Sequence, residues 1–176
     1  THTPAVGPGG APVRDVQALA TDPRGRVWAG TGDASADEGS GVVVHDPADG
    51  SWRARARATE GDAFGGDSVT GVAVDRLTGH VWLATHHTRC AATDPGCGDN
   101  GRIGGGVSRW DGTRWTRWVK GSASALTATG QDGNFTAVLF DPARARVWAG
   151  AWVEAPTRAH WISGVGVDAA LSGCPR

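Results

Sequence analysis

Apolar positions along this chain fall in short runs, continuous or alternating, separated by stretches rich in Gly, Pro, Asp and Ser. Val42-Val43-Val44, Val69-Thr70-Gly71-Val72-Ala73-Val74 and Phe135-Thr136-Ala137-Val138-Leu139-Phe140 are representative. Runs of this length, bounded by turn residues, predict strands rather than helices. One phrase recurs among them. Asp22-Pro23-Arg24-Gly25-Arg26-Val27-Trp28-Ala29-Gly30 returns as Asp75-Arg76-Leu77-Thr78-Gly79-His80-Val81-Trp82-Leu83-Ala84 and as Asp141-Pro142-Ala143-Arg144-Ala145-Arg146-Val147-Trp148-Ala149-Gly150. Each copy reads as the end of one strand, an Asp-led tight turn and a second strand opening on Val-Trp. The chain therefore carries one hairpin written three times.

Around each copy the pattern continues in the same order. In the first unit a polar stretch from Thr31 to Ser40 leads to Gly41-Val42-Val43-Val44-His45, a turn at Asp46 to Gly50 and a last strand from Ser51. The second unit repeats this from Ser68, with a long insertion from His86 to Gly105, then Val107 to Trp110, a turn at Asp111-Gly112, and Arg114 to Trp118. The third runs from Asn134 through an insertion from Trp152 to Ser163 to Gly164-Val165-Gly166-Val167, without a clear fourth strand. The reading is all-β, built of four-stranded antiparallel meanders with unit bounds near 13–58, 67–120 and 132–176. The Pro- and Gly-rich residues 1–12 lack periodicity and read as an irregular leader or linker.

The motif of an inner strand, Asp, a turn with Gly, Val27-Trp28-Ala29-Gly30-Thr31, and then Gly41 to Asp46 resembles the two-component-regulator propeller repeat. The second and third units lack its full Trp-Ala-Gly-Thr signature. The resemblance implies β-propeller blades, often from the extracellular sensor part of a bacterial signalling receptor or from a secreted propeller protein. Closed propellers need about four to eight blades. Three blades make an incomplete ring, so further blades are expected from the rest of a longer chain or from a partner chain.

Composition adjusts this picture little. The chain has 176 residues, 39% of them hydrophobic, with 28 Gly and 9 Pro, which suits many short strands joined by turns. It has 9 Trp but only 3 Phe and no Tyr, and three of the Trp hold the same place in the repeat, as packing residues would. With 17 basic and 18 acidic residues, bulk charge draws the chain neither to nucleic acid nor to a membrane surface. No run approaches the ~18 apolar residues of a membrane span. The absence of Met implies a lost initiator or a piece cut from something longer.

Candidate chemistry collects in the long connections, which a four-stranded meander places on one face, opposite the short Asp-led turns. Asp33, Asp37 and Glu38 in one connection, with Glu60, Asp62 and Asp67 in the next, offer the oxygen ligands that Ca²⁺ requires, although no EF-hand spacing is present. A catalytic carboxylate pair is the alternative use, and Asp62 and Asp67 are also candidate ligand contacts. A solvated acidic loop is the commoner use of such residues. Cys90 and Cys97 flank an Asp-Pro-Gly turn and can close as a disulfide, which implies an oxidising compartment, secreted or periplasmic. A His/Cys metal site with His86 and His87 is the alternative, against which Cys-x6-Cys spacing argues. Cys174 is left odd and is expected to be free or bonded to a segment beyond the chain. His86 and His87 are also the candidate general bases of a lyase- or hydrolase-type propeller, set against the commoner reading of surface histidines. Trp152, Trp161, Arg158 and His160 sit in the last long connection, where aromatic planes suit a glycan or a protein hot spot. Arg53, Arg55 and Arg57 alternate along an outer strand. The expected function is a binding module for a glycan, peptide or protein, with the enzyme as the alternative.

Overall fold

The computed structural model describes residues 13, 15–33, 38–93, 97, 101–118, 134–152 and 160–165, with backbone alone at 103, 104, 152 and 160–165. The leader 1–12 and Cys174 lie outside these residues. Within them the fold is all-β and antiparallel. The first sheet runs β1 (Val16–Thr21), β2 (Val27–Thr31), β3 (Val42–Asp46) and β4 (Ser51–Arg55), paired in that order. The second repeats the order with β5 (Ser68–Val74), β6 (Val81–Arg89), β7 (Arg102–Trp110) and β8 (Trp115–Trp118). The third contains β9 (Phe135–Asp141), β10 (Arg146–Trp152) and β11 (His160–Val165), with β10 in the middle.

Registers in the three sheets match. Ala20 pairs with Trp28, Ala73 with Trp82, and Leu139 with Trp148. Because side chains alternate across a strand, each Trp points to the face opposite its flanking residues. Trp28 packs with Val42 and Val44 against Val69, Val81, Leu83 and Trp115 of the second sheet. Trp82 packs with Ala73, Ala84 and Val107 against Phe135, Val147, Ala149 and Ala151 of the third. The first and second sheets thus each offer their Trp face to the sheet that follows in the chain.

Two glycines set how closely the sheets approach. A Cβ at Gly30 would stand 2.8 Å from Val69 Cγ1 and 2.9 Å from its carbonyl oxygen. One at Gly71 would stand 2.9 Å from the Val138 backbone nitrogen. Between the first two sheets the connection is not a bare loop: α1 (Arg57–Glu60) and a 3-10 turn (Asp62–Phe64) fill it. Phe64 from that turn is fully buried and meets Trp115 edge-on, with ring centroids 5.0 Å apart.

Several expectations about the connections need correction. The segment from His86 to Gly105 is not wholly an insertion, because β6 and β7 stay paired out to Arg89 and Arg102. Trp152, His160 and Trp161 belong to paired strands rather than to a loop, with Trp152 opposite His160 and Ala151 opposite Trp161. Polar residues disguised the extension of β6, where they are buried within the central sheet, and the interruption at Pro156 and Arg158 disguised the pairing of β10 with β11. Arg57 leaves the outer strand for α1, so the alternating Arg53, Arg55 and Arg57 do not form a row.

The recurrent Asp residues cap their turns. Asp22 Oδ1 accepts the backbone N–H groups of Arg24 and Arg26 at 2.9 and 3.0 Å, and Oδ2 accepts Arg26 Nε at 2.7 Å and Trp28 Nε1 at 3.0 Å. One carboxylate therefore closes the turn and anchors the buried indole. Asp75 caps its turn through the Leu77 N–H, but its Oδ2 is taken by the Thr78 hydroxyl at 2.5 Å. The Trp82 indole N–H consequently has no acceptor among the described residues.

Burial alone would raise the Asp22 pKa, but hydrogen bonds from Trp28 and Arg26 outweigh it and hold the carboxyl below its ordinary value. A depressed folded-state pKa means that this contribution is complete above the unfolded value of about 4 and is lost as pH falls through the folded value. Asp22→Ala, which strands a buried indole N–H, is expected to cost about 2–3 kcal/mol in urea unfolding at pH 7. Asp22→Asn should flatten the acid limb of stability below about pH 4. An acid limb identical to that of the parent protein would refute the assignment.

Candidate functional site

The ends of the three sheets differ in kind. One end carries the Asp-led turns between β1 and β2, β5 and β6, β9 and β10, and also those between β3 and β4 and between β7 and β8. The other end carries the connections from Gly32 to Gly41, Ala56 to Asp67, Cys90 to Gly101 and 153 to 159. The long connections share a face, as the repeat register requires.

On that face Asp33 and Glu38 are joined through their backbones, by Asp33 N to Glu38 O at 2.8 Å and Glu38 N to Asp33 O at 3.1 Å, which pinches the connection into a closed loop. Asp37, the remaining member of the candidate Ca²⁺ set, lies outside the described residues. Among the described residues no group of three or more His, Cys, Asp or Glu side chains comes together as a metal site would require.

Asp62 and Asp67 flank the 3-10 turn and have different surroundings. The Asp62 carboxylate is exposed and pairs with the Arg57 guanidinium, while its carbonyl accepts Arg117 at 3.3 Å. Arg117 also donates from Nε to the Gly105 carbonyl at 2.8 Å, which ties the connection to the second sheet. Asp67 is half-buried and accepts the Arg57 backbone N–H at 2.6 Å. Burial pushes its carboxyl up, and the Arg57 N–H and charge offset this only in part. Nearby, Glu60 accepts both Arg55 at 3.2 Å and the Trp115 indole N–H at 2.9 Å, so it works as a strut between sheets.

The histidines are not surface groups. His86 is 2% and His87 3% exposed, with ring centroids 4.3 Å apart, and both lie inside β6. That strand runs through the middle sheet, and both adjacent side chains are buried there with their rings in contact. Neither imidazole is presented to solvent as the proposed general base would need to be. Cys90 and Cys97 form the disulfide, with Cα atoms 5.9 Å apart, beyond the end of the β6–β7 ladder. A disulfide fits an extracellular or periplasmic location, and no helix among the described residues is long and apolar enough to cross a membrane. Register brings Trp152 and His160 opposite each other at the mouth of the connection 153–159, which contains Arg158, itself outside the described residues.

Sequence reasoning overlooked the short-turn end. A cleft of about 300 Å³ opens there between the first two sheets, lined by Asp22, Arg24, Arg26, Arg55, Arg76 and Asp111 among others. Its signal was present in the clustering of Arg beside each Asp-led turn, but those turns read as architecture alone.

No family model matches the chain, and no curated protein matches it. Among solved structures it is similar to the extracellular domain of the hybrid two component system BT3049 from B. thetaiotaomicron, at 18% identity and a TM-score of 0.38, over 90% of this chain and 22% of that one. The chain thus spans about a fifth of that structure's length. At this level the likeness settles neither fold nor function.

The raised Asp67 pKa has a consequence of opposite sign to that of Asp22. An ionised carboxylate whose folded pKa lies above its unfolded value costs stability at neutral pH, and the cost disappears below about pH 4. Asp67→Asn keeps an acceptor for the Arg57 N–H and removes the charge. It should raise the melting temperature at pH 7, with the two proteins converging as the pH is lowered to 4; a lower melting temperature at pH 7 would show that the charge is needed.

Proposed function

We propose that the three sheets are consecutive β-propeller blades, near 13–58, 67–120 and 132–176, of an extracellular or periplasmic recognition module, and that its long-connection face takes a glycan, peptide or protein. The observation that carries this reading is the segregation of connections: tight capped turns occupy one end, while length, chemical variety and the Cys90–Cys97 disulfide occupy the other. Residues that do not recur from unit to unit are free to serve a ligand. Trp152 and His160 at the mouth of the last connection, together with exposed Asp62, are the leading contacts. Trp161, Arg158 and the half-buried Asp67 are the further candidates on this face. Asp33, Asp37 and Glu38 remain candidates for Ca²⁺ within the same face.

The unmatched sheet faces support completion of the ring by further blades. Trp28 and Trp82 are 0% and 3% exposed beneath the following sheet, whereas Trp148 is only half-buried and its cross-strand neighbour Leu139 is 62% exposed. At the other end of the stack Leu19 is 67% exposed, in the register position that Val72 and Val138 fill inside the two cores. Among the described residues, one end therefore has a Trp face that is only partly covered, and the other an exposed receiving face.

Two measurements test this. At tens of micromolar the isolated chain is expected to self-associate in light scattering and to return toward 18.0 kDa on Leu139→Asp; a parent chain that stays monomeric removes the ring argument. In a glycan and peptide array, hits should weaken at least tenfold on Trp152→Ala or Asp62→Ala, the loss expected of contact residues. Hits indifferent to both substitutions would place recognition elsewhere.

A further inference from the structure

We propose that the cleft on the short-turn end, opposite the long connections, binds a small molecule bearing a compact oxyanion such as phosphate, sulfate or carboxylate. Its walls come from two sheets: the β1–β2 turn with Arg24 and Arg26 on one side, and the β5–β6 turn with Arg76 and the β7–β8 turn with Asp111 on the other. Four guanidinium groups and two carboxylates line about 300 Å³, the lower bound of ordinary ligand sites.

The two carboxylates do not neutralise the cleft, because both are already committed. Asp22 spends its four hydrogen bonds on its own turn, Arg26 and Trp28. Asp111 Oδ1 accepts the Thr113 N–H, the Thr113 hydroxyl and the Arg114 N–H at 2.8–2.9 Å, and its Oδ2 pairs with Arg114 Nε at 3.4 Å. Two of the cations are equally committed. Arg26 belongs to Asp22, and Arg55 forks onto Glu60 while its guanidinium stacks 4.5 Å from the Trp110 ring centroid.

Arg24 and Arg76 remain. Neither has a carboxylate partner among the described residues, and Arg76 donates to a neutral acceptor, Thr21 Oγ1 of the first sheet, at 3.2 Å. That bond spans the sheet boundary and holds the Arg76 head beside the cleft. Arg24 approaches from the facing turn. Two guanidinium groups without carboxylate partners, contributed to one cleft by two different sheets, suit an anion with several oxygens, while Arg26 and Arg55 line the same cleft with their charges already paired. The rim is open: a Cβ at Gly79 or Gly112 would have no atom within 4 Å.

The test is thermal shift and calorimetric titration of the chain with inorganic phosphate, sulfate and citrate, against chloride at matched ionic strength. Saturable stabilisation by at least one oxyanion and none by chloride is expected. The Arg24→Gln, Arg76→Gln double variant, at two exposed positions, should weaken binding at least tenfold while melting like the parent protein without anion. Arg53→Gln, at an exposed arginine away from the cleft, should bind as the parent does. An equal response to chloride, no saturation, or undiminished binding by the double variant would overturn the proposal.

Discussion

Everything in this molecule depends on burying the second-strand Trp of one sheet against the next. Trp28 and Trp82 each pack into the core shared with the following sheet, which is brought close by the absence of a side chain at Gly30 or Gly71. Interiors are close-packed and tolerate little change in volume, so this contact fixes the spacing of the sheets and, through register, their relative rotation. The short Asp-led turns follow from the same requirement. A tight turn must deliver the Val-Trp strand at a set height, and at Asp22 the turn cap and the indole anchor are one carboxylate.

This arrangement divides labour between the two ends of the sheets. At the turn end the backbone is pinned by carboxylate caps, and the arginines beside them are partly free to meet solvent. At the other end the chain departs from the repeat: α1 and its 3-10 turn plug one boundary with Phe64, and a disulfide closes the β6–β7 connection. The buried polar residues Thr85, His86, His87 and Thr88 continue β6 into that end. They give it a polar interior where a propagated repeat would have been apolar.

Much of this was legible in the residues. The three hairpins, the meander order, the disulfide and the segregation of long connections all follow from periodicity, turn chemistry and spacing. The histidines were misplaced because His86 and His87 are polar and adjacent, as surface residues would be, whereas β6 carries both into the interior of the middle sheet with their rings in contact. Trp152 and Trp161 were assigned to a loop because Pro156 and Arg158 interrupt the pattern, although the strands on either side pair up to that interruption. Arg57 was read in phase with Arg53 and Arg55, yet its backbone N–H is drawn to Asp67 and starts α1 instead.

The sequence by itself determined the local units: which residues turn, which extend, which Trp recurs and which loops share an end. These depend on neighbours a few positions apart, where backbone geometry and side-chain alternation leave few choices. Only the tertiary structure decided which charges are spent and which remain available. Glu60 is consumed by the Trp115 indole that folding brings to it, Arg24 and Arg76 reach one cleft from two sheets, and Trp148 stays half-buried where Trp28 and Trp82 are covered. Such pairings join residues far apart in the chain, and no local pattern encodes them.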